Sequence, residues 1–432
     1  MTIPELYEIY LQHPIVTTDS RRCPPDSLFF ALKGDRFDGN DFAEKALESG
    51  CSYAIVDNDA VALKNSEKMI LVEDTLKTLQ DLARHHRETL EIPVIAITGT
   101  NGKTTTKELT AAVLSQQYKT LFTEGNLNNH IGVPLTLLRL TAEHEFAVIE
   151  MGANHQGEIA ALCEIARPDY GLITNVGQAH LEGFGSFEGV IRAKGELYDF
   201  IRENGMLVFV NQENKYLIQM AWGMDICPYG ETMKDYTFIA GKETDRALFL
   251  AFEWFHDFGE IYHVKTCFIG GYNLWNALAA ISIGMYFNVE PELINKAIEE
   301  YKPANFRSQY LKTNDNELII DTYNANPDSM GAALENFAYM DVDGKAVILG
   351  DMLELGDKSA ELHEDILKQV GNYRFDKVLL CGENFAAVGK NFEVFETVEK
   401  LSEYLKNEPL KGFHILLKGS HGVRLEKIID LL

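Results

Sequence analysis

VIAITGTNGKTT, residues 94–105, decides the fold. Its first five residues read as a buried strand; Gly99 and Gly102 then break it, and Lys103-Thr104-Thr105 opens a helix. The two glycines let the backbone turn so that its N–H groups converge on one anion. The helix start adds its dipole, Lys103 a point charge, and Thr104 a hydroxyl for Mg²⁺. The common phosphate loop keeps four residues between its glycines; here there are two, so this is a variant loop.

Outward from this loop, short apolar runs alternate with helical stretches. Strands are expected at 93–98, 146–151, 171–175 and 206–210. Helices are expected at 103–115, 157–166 and 187–202, and two more at 273–285 and 291–301 close the unit. Such alternation predicts a parallel sheet covered on both faces. Lys302-Pro303 marks a break, after which a second alternating unit follows. Its strands are expected at 317–321, 345–349, 377–381 and 414–417, its helices at 328–340, 358–370, 398–406 and from 423 onward. Before the loop, apolar runs at 28–32, 53–56 and 69–72 accompany a helix at 42–49 and a polar helix at 74–91. A chain of 432 residues holds about three domains at ~150 residues each. The expected units are 1–88, 89–302 and 303–432.

Hydrophobic residues make up 46% and charged residues 24%, and 39 basic against 65 acidic side chains leave a net charge of −26. That field repels nucleic acid and anionic lipid, so neither is expected as a partner, and any phosphate must be held by a local site. The six cysteines are scattered without a CxxC pair and read as reduced thiols. The first ten residues lack the order of a signal peptide, and no apolar run approaches ~20 residues. A cytoplasmic protein without membrane insertion is expected.

A phosphate loop working on a nucleotide needs a metal, with ligands at the ends of neighbouring strands. Glu150 ends the apolar run 146–149 and can reach such a metal; it reads equally as a strand-end carboxylate facing water. His180 lies past the end of the 171–175 strand, where a loop histidine is otherwise a cap or a packing residue. Lys194 shares a helix with Val190, Ile191, Leu197 and Ile201; its plain reading is a solvated lysine or a partner of Glu196.

With these residues in view, the chain resembles the Mur ligases, the ATP-dependent amide-forming family of peptidoglycan synthesis. Family-wide features are TGTNGKTT (98–105), Glu150, Asn175 with His180, Lys194, and YNLWNALAA (272–280). Longer stretches resemble the branch that adds D-alanyl-D-alanine to a UDP-linked tripeptide. They are TEGNLNNHIGVPLTLLRL (123–140), EMGANHQGEI (150–159), AHLEGFGSFEGVIRAKGE (179–196), DTYNANPDSM (321–330) and LGDMLELGDKS (349–359). A diamino-acid-adding relative, or a folylpolyglutamate synthase of similar core, shares the loop but lacks the Tyr-Asn-Ala-Asn-Pro segment. A nucleotide-switch protein is the reading from another class, but no Asn-Lys-x-Asp follows the loop to specify guanine.

The resemblance implies an α/β protein of three domains. A central P-loop parallel-sheet ATPase domain lies between an α/β UDP-binding domain and a Rossmann-like C-terminal domain. It implies that ATP phosphorylates the terminal carboxylate of UDP-MurNAc-tripeptide and that the amine of D-Ala-D-Ala attacks the acyl phosphate. Thr98, Gly99, Thr100, Asn101, Gly102, Lys103, Thr104 and Thr105 would bind ATP, with Asn273 and Asn276 toward the adenine. Asp321, Asn324 and Asn326 would meet ribose and phosphates. Ser20, Arg21 and Lys33 would hold the UDP end, and Asn126, Asn128 and Asn129 would line the path of the peptide. Two Mg²⁺ ions are implied, held by Thr104, Glu150, His180 and Lys194, the last as a carbamylated lysine. Lys103, His180, Lys194 and Arg307 would be catalytic, in a monomer. Two residues depart from the family pattern: Phe306 stands where Gly is usual before Arg307, and His421 where the Lys418-Gly419-Ser420 segment often ends in Arg.

Overall fold

The computed structural model describes the whole chain except Ala179, His180, Asp235, Arg246, Ala247, Phe258 and Asn305 and the side chains of Leu181 and Asp245. Three parallel-based sheets follow one another along the sequence. The first has four parallel strands in the order Ile15–Thr17, Ser27–Phe30, Tyr53–Val56, Met69–Leu71.

The second sheet has nine strands. At its centre Val94–Thr98 lies between Phe146–Glu150 and Tyr170–Ile173, all parallel and buried residue after residue, as strands covered on both faces must be. Thr120–Phe122 adds beyond Phe146–Glu150, and Leu207–Asn211 and Ile226–Gly230 extend the other side in parallel. The chain thus moves to either side of Val94–Thr98, and the crevice at its carboxyl end is where such sheets bind ligands. Ile239–Asp245 joins in parallel; Ala251–His256 and Ile261–Lys265 then continue the sheet antiparallel. The last three strands and Ile226–Gly230 have no counterpart in the sequence expectation. Half-exposed, charge-bearing strands such as IYHVK carry little apolar signal. The helix Asn273–Tyr286, buried almost all round, packs beside the helix Lys103–Leu114 that leaves the phosphate loop.

The third sheet runs Gln309–Lys312, Glu317–Asp321, His414–Lys418, Lys345–Gly350, Lys377–Cys381, Glu393–Phe395, parallel except for the first strand. The helix expected from residue 423 is instead 3₁₀ over Leu425–Leu431. Arg424 stands left-handed (φ 62°) and stops continuation from the turn before it. Leu425 and Ile428, three apart, place their side chains in the core, the period of a three-residue turn. The N-terminal helix Ile3–Gln12 was not expected either.

The first two units are joined through the helix Thr75–Leu90. Asp74 caps its start by accepting from Lys77 N–H at 2.8 Å, and Glu91 ends it in a left-handed conformation (φ 52°). Arg87, buried on this helix, donates to the carbonyls of Ala166 (3.1 Å) and Arg167 (2.9 Å) and to Asp169 Oδ2 (2.7 Å). That carboxylate oxygen also accepts from Val94 N–H at 2.8 Å. No helix of the described residues is long and apolar enough to cross a membrane.

Candidate active site

The phosphate loop is built against a second loop. Gly99 (φ 142°) and Gly102 (φ 80°) adopt backbone conformations that side chains resist. A Cβ at Gly99 would lie 2.0 Å from Thr174 Oγ1, and one at Gly102 would lie 2.4 Å from Asn276 Oδ1. Thr100 N–H donates to Asn175 O (3.0 Å) and Asn101 N–H to Asn175 Oδ1 (2.9 Å). Asn101 O accepts from Thr174 Oγ1 (2.6 Å) and Asn175 Nδ2 (3.0 Å), and Gly177 N–H donates to Thr100 Oγ1 (2.9 Å). Residues 174–177 therefore shape the loop, a role the sequence reading did not give to Thr174 or Gly177. Thr98 points elsewhere, its hydroxyl donating to Met151 O at 2.7 Å.

Lys103 Nζ donates to Gly99 O (2.7 Å) and Thr100 O (3.1 Å), which holds the ammonium over the loop. Burial pushes its pKa down to about 8; the Glu150 carboxylate opposes this and the Arg307 guanidinium adds to it.

Glu150 is 1% exposed. Its Oε1 accepts from Asn128 Nδ2 at 2.7 Å, while Oε2 is buried with no hydrogen-bond partner among the described residues. A buried carboxylate oxygen left without a donor is costly unless a cation completes it. Thr104, also buried, adds a hydroxyl at the same cleft. Hard oxygen donors of this kind suit Mg²⁺. No cluster of three or more His, Cys, Asp or Glu fit for a metal occurs among the described residues. His180 lies outside the described residues.

Lys194 is not solvated. It is 2% exposed on the helix Phe187–Asn204, with Nζ 3.4 Å from Ala153 O and 5.1 Å from the centre of the Phe184 ring. Burial pushes its pKa down to about 7, and Lys103 adds to the shift against the opposing charges of Glu196 and Glu158. Nor is Glu196 its hydrogen-bonding partner. That carboxylate accepts from Gly157 N–H (2.6 Å) and Ala160 N–H (3.0 Å) at the start of the helix Glu158–Ala166.

A cleft of about 1700 Å³ collects most of the predicted residues. Thr100 to Thr105, Glu150, Asn126, Asn128 and Asn129 line it from the central unit, with Asn273 and Asn276 on the helix behind the loop. Asn129 Oδ1 caps the helix Gly132–Leu137 by accepting from Ile131 N–H (3.1 Å) and Gly132 N–H (2.9 Å). Asn273 donates to Ile269 O (2.9 Å). Asn276 donates to Asn273 Oδ1 (2.8 Å) and accepts from Thr106 Oγ1 (3.0 Å). Asn276 therefore braces the helix that leaves the loop, and Asn273 holds Asn276 in place. From the third unit, Asp321 pairs with the buried Lys418, Asn324 is exposed on the cleft wall, and Arg307 lies 3.7 Å from the centre of the Tyr323 ring. The ring of His421 is 5.9 Å from that of Tyr323. Asn326 caps the helix Pro327–Tyr339 and donates from Nδ2 to Asn101 Oδ1 of the phosphate loop at 2.8 Å.

Ser20, Arg21 and Lys33 do not line this cleft. Arg21, largely exposed, pairs with Asp19 at 2.9 Å, and Lys33 pairs with Asp57 at 2.9 Å. Between them the buried Asn40 donates to Asp38 Oδ1 and Asp57 Oδ1, each at 2.7 Å.

Three family models match the chain in succession. They are the Mur ligase family, catalytic domain, over residues 14–87; the Mur ligase middle domain over 97–284; and the Mur ligase, glutamate ligase domain over 306–421. The UDP-N-acetylmuramoyl-tripeptide–D-alanyl-D-alanine ligase of Bacillus subtilis (strain 168) is 38% identical over 433 residues, 96% of this chain and 93% of its own. A crystal structure of MurF from Acinetobacter baumannii superposes with a TM-score of 0.89 at 32% identity, covering 100% of this chain and 98% of that one. MurF ligase from Thermotoga maritima, in complex with ADP, superposes with a TM-score of 0.85 at 27% identity and covers 98% and 97%.

Proposed function

The chain belongs to the Mur ligase family, and from that premise we infer that it is an ATP-dependent amide ligase of peptidoglycan precursor synthesis. It joins D-alanyl-D-alanine to UDP-N-acetylmuramoyl-tripeptide and releases ADP and phosphate. We take residues 1–88 as the UDP-substrate unit, 89–302 as the ATP unit and 303–432 as the Rossmann-like unit, working as a monomer in the cytoplasm. The reading is carried by one observation. The loop 100–105, Glu150 with its unpartnered oxygen, and Arg307, Asp321 and Asn324 of the third unit all face a single cleft.

The physical problem is to bring a carboxylate onto a γ-phosphate. At ~4 Å two like unit charges repel by about 4 kcal/mol at an effective dielectric of 20. Lys103 and the loop N–H groups offset that repulsion where charge spreads onto the transferring phosphoryl group. Phosphoryl transfer breaks the bond to the β-phosphate oxygen, leaving ADP and an acyl phosphate. The dipeptide amine attacks the acyl carbon, loses a proton, and inorganic phosphate leaves from the tetrahedral adduct. Arg307 adds positive charge from the third unit. Asn273 and Asn276 hold the adenine side of the loop, and Asp321, Asn324 and Asn326 meet ribose and phosphates. Ser20, Arg21 and Lys33 hold the UDP end while Asn126, Asn128 and Asn129 guide the peptide toward Glu150.

Thr104 and Glu150 would hold one Mg²⁺, and His180 with Lys194 a second. When bound, such ions neutralise the phosphates and the acyl oxygen. The amine of Lys194, with its pKa near 7, is available to carbon dioxide, whose addition turns a buried cation into a carboxylate able to ligate metal.

The test incubates the protein with ATP, Mg²⁺, D-Ala-D-Ala and each of two UDP-tripeptides, ending in lysine or diaminopimelate, and follows ADP and pentapeptide. Pentapeptide from one of them is expected. Lys103→Ala is expected to lose at least about 10²–10³-fold in kcat, the cost of one preorganised charge donor. A variant as fast as its parent would sink the scheme.

A further inference from the structure

At the start of the helix Pro327–Tyr339 two described residues, Asn326 and Asp328, hydrogen-bond to the central unit, and only the first has already been given a role. Asn326 pairs with Asn101 on the phosphate loop. Two residues further, Asp328 Oδ2 accepts from Gln178 N–H at 2.7 Å, 150 residues away in sequence. Here the carboxylate lies directly against the glycine. A Cβ at Gly177 would stand 2.3 Å from Asp328 Oδ2, and its next neighbour would be Thr100 Cγ2 at 3.4 Å. Gly177 N–H in turn donates to Thr100 Oγ1, and Asn175 holds both Thr100 N–H and Asn101 N–H. Residues 174–178 and 99–102 are therefore one hydrogen-bonded body, and Asp328 grips its far side.

Building on the ligase reading above, we propose that Asp328 is a positioning residue that seats the third unit on the phosphate loop through Gln178 and Gly177. Its contact registers Arg307 and Asp321 against the γ-phosphate, with no demand that Asp328 touch substrate. The carboxylate suits the task because an ionised acceptor makes a stronger bond to a backbone N–H than a neutral one. Its place in the first turn of a helix also favours the negative charge. The glycine opposite it leaves the carboxylate its place: a Cβ at residue 177 would stand where Oδ2 now sits and would turn the carboxylate away from Gln178 N–H.

The experiment is a double-mutant cycle on the full chain, read by kcat, by KM for each substrate, and by the dissociation constant of ADP. Asp328→Ala should lower kcat about tenfold or more and weaken ADP, with KM for UDP-tripeptide within about twofold. Asp328→Asn keeps an acceptor and should recover most of the loss. Gly177→Ala should cost about as much as Asp328→Ala, tenfold or so, when made alone but under threefold more in the Asp328→Ala background, since the displaced carboxylate is already gone. Equal cost of Gly177→Ala in both backgrounds overturns the proposal, as does Asp328→Ala with unchanged kcat and ADP affinity. If Gly177→Ala fails to fold, the exposed Asp328 pair of variants decides alone. Should the parent protein make no pentapeptide, the ligase reading fails, and ADP affinity across the same variants still judges the contact.

Discussion

A lysine held out of water beside another cation gives up its proton easily, and Lys194 is such a residue. Its ordinary value of 10.5 falls to about 7 in the folded chain. Below about pH 7 both folded and unfolded chains carry the proton; between about 7 and 10.5 only the unfolded chain does. Unfolding then takes up a proton, so this group makes stability rise with pH across that window. Urea denaturation of the protein kept free of carbon dioxide, so that the amine is unmodified, should at about pH 7 and pH 9 show the rise in the parent and a shallower one in Lys194→Met. Lys103 retains its own contribution above about pH 8. A second expectation concerns activity: Lys194→Ala should be inactive and be partly restored by short carboxylic acids, which replace the carbamate. Full activity without them overturns the assignment. The burial of Lys194 was legible after all, since Val190, Lys194, Leu197 and Ile201 share one helical face at spacings of three and four. Composition alone favoured the solvent. The unpartnered Glu150 oxygen was not legible, because it depends on Asn128 taking only the other one.

Among elements, the central parallel strands could be read because each is a short apolar run buried along most of its length, and Val94–Thr98, Glu317–Asp321 and Lys377–Cys381 fall where expected. The antiparallel extension Ile239–Lys265 escaped, since its strands mix Lys, Glu and His with the apolar residues and its pairing is set by long-range contacts. Helix ends follow local rules more closely. Glu91 closes Thr75–Leu90 with φ 52°, a conformation that costs a side-chain-bearing residue about 1–2 kcal/mol, partly offset in glycine by its freer unfolded chain. Glu91→Gly should therefore stabilise the protein by about 0.5–1 kcal/mol, seen as a raised urea midpoint with unchanged slope. Phe306 and Ser308 share this left-handed strain (φ 58° and 48°) on either side of Arg307. The sequence signalled only the first, through a phenylalanine where the family pattern leads one to expect glycine.

At the scale of the whole molecule, the proposed reaction draws its groups from different units, so closure is expected to be part of it and to keep water from the acyl phosphate. Small-angle scattering should show a smaller radius of gyration with an ATP analogue and UDP-tripeptide together than with neither. An unchanged profile would count against closure. The place where motion is admitted is constrained by Arg87. Its guanidinium satisfies two carbonyls and a carboxylate of the central unit from a helix that belongs to the first. Grafting the UDP-binding portion of a relative onto this scaffold would thus succeed only if the graft carries its own arginine at that helical position, because otherwise Asp169 loses its counter-charge and the seam opens. The protein is modular along its sequence but not interchangeable by the cassette.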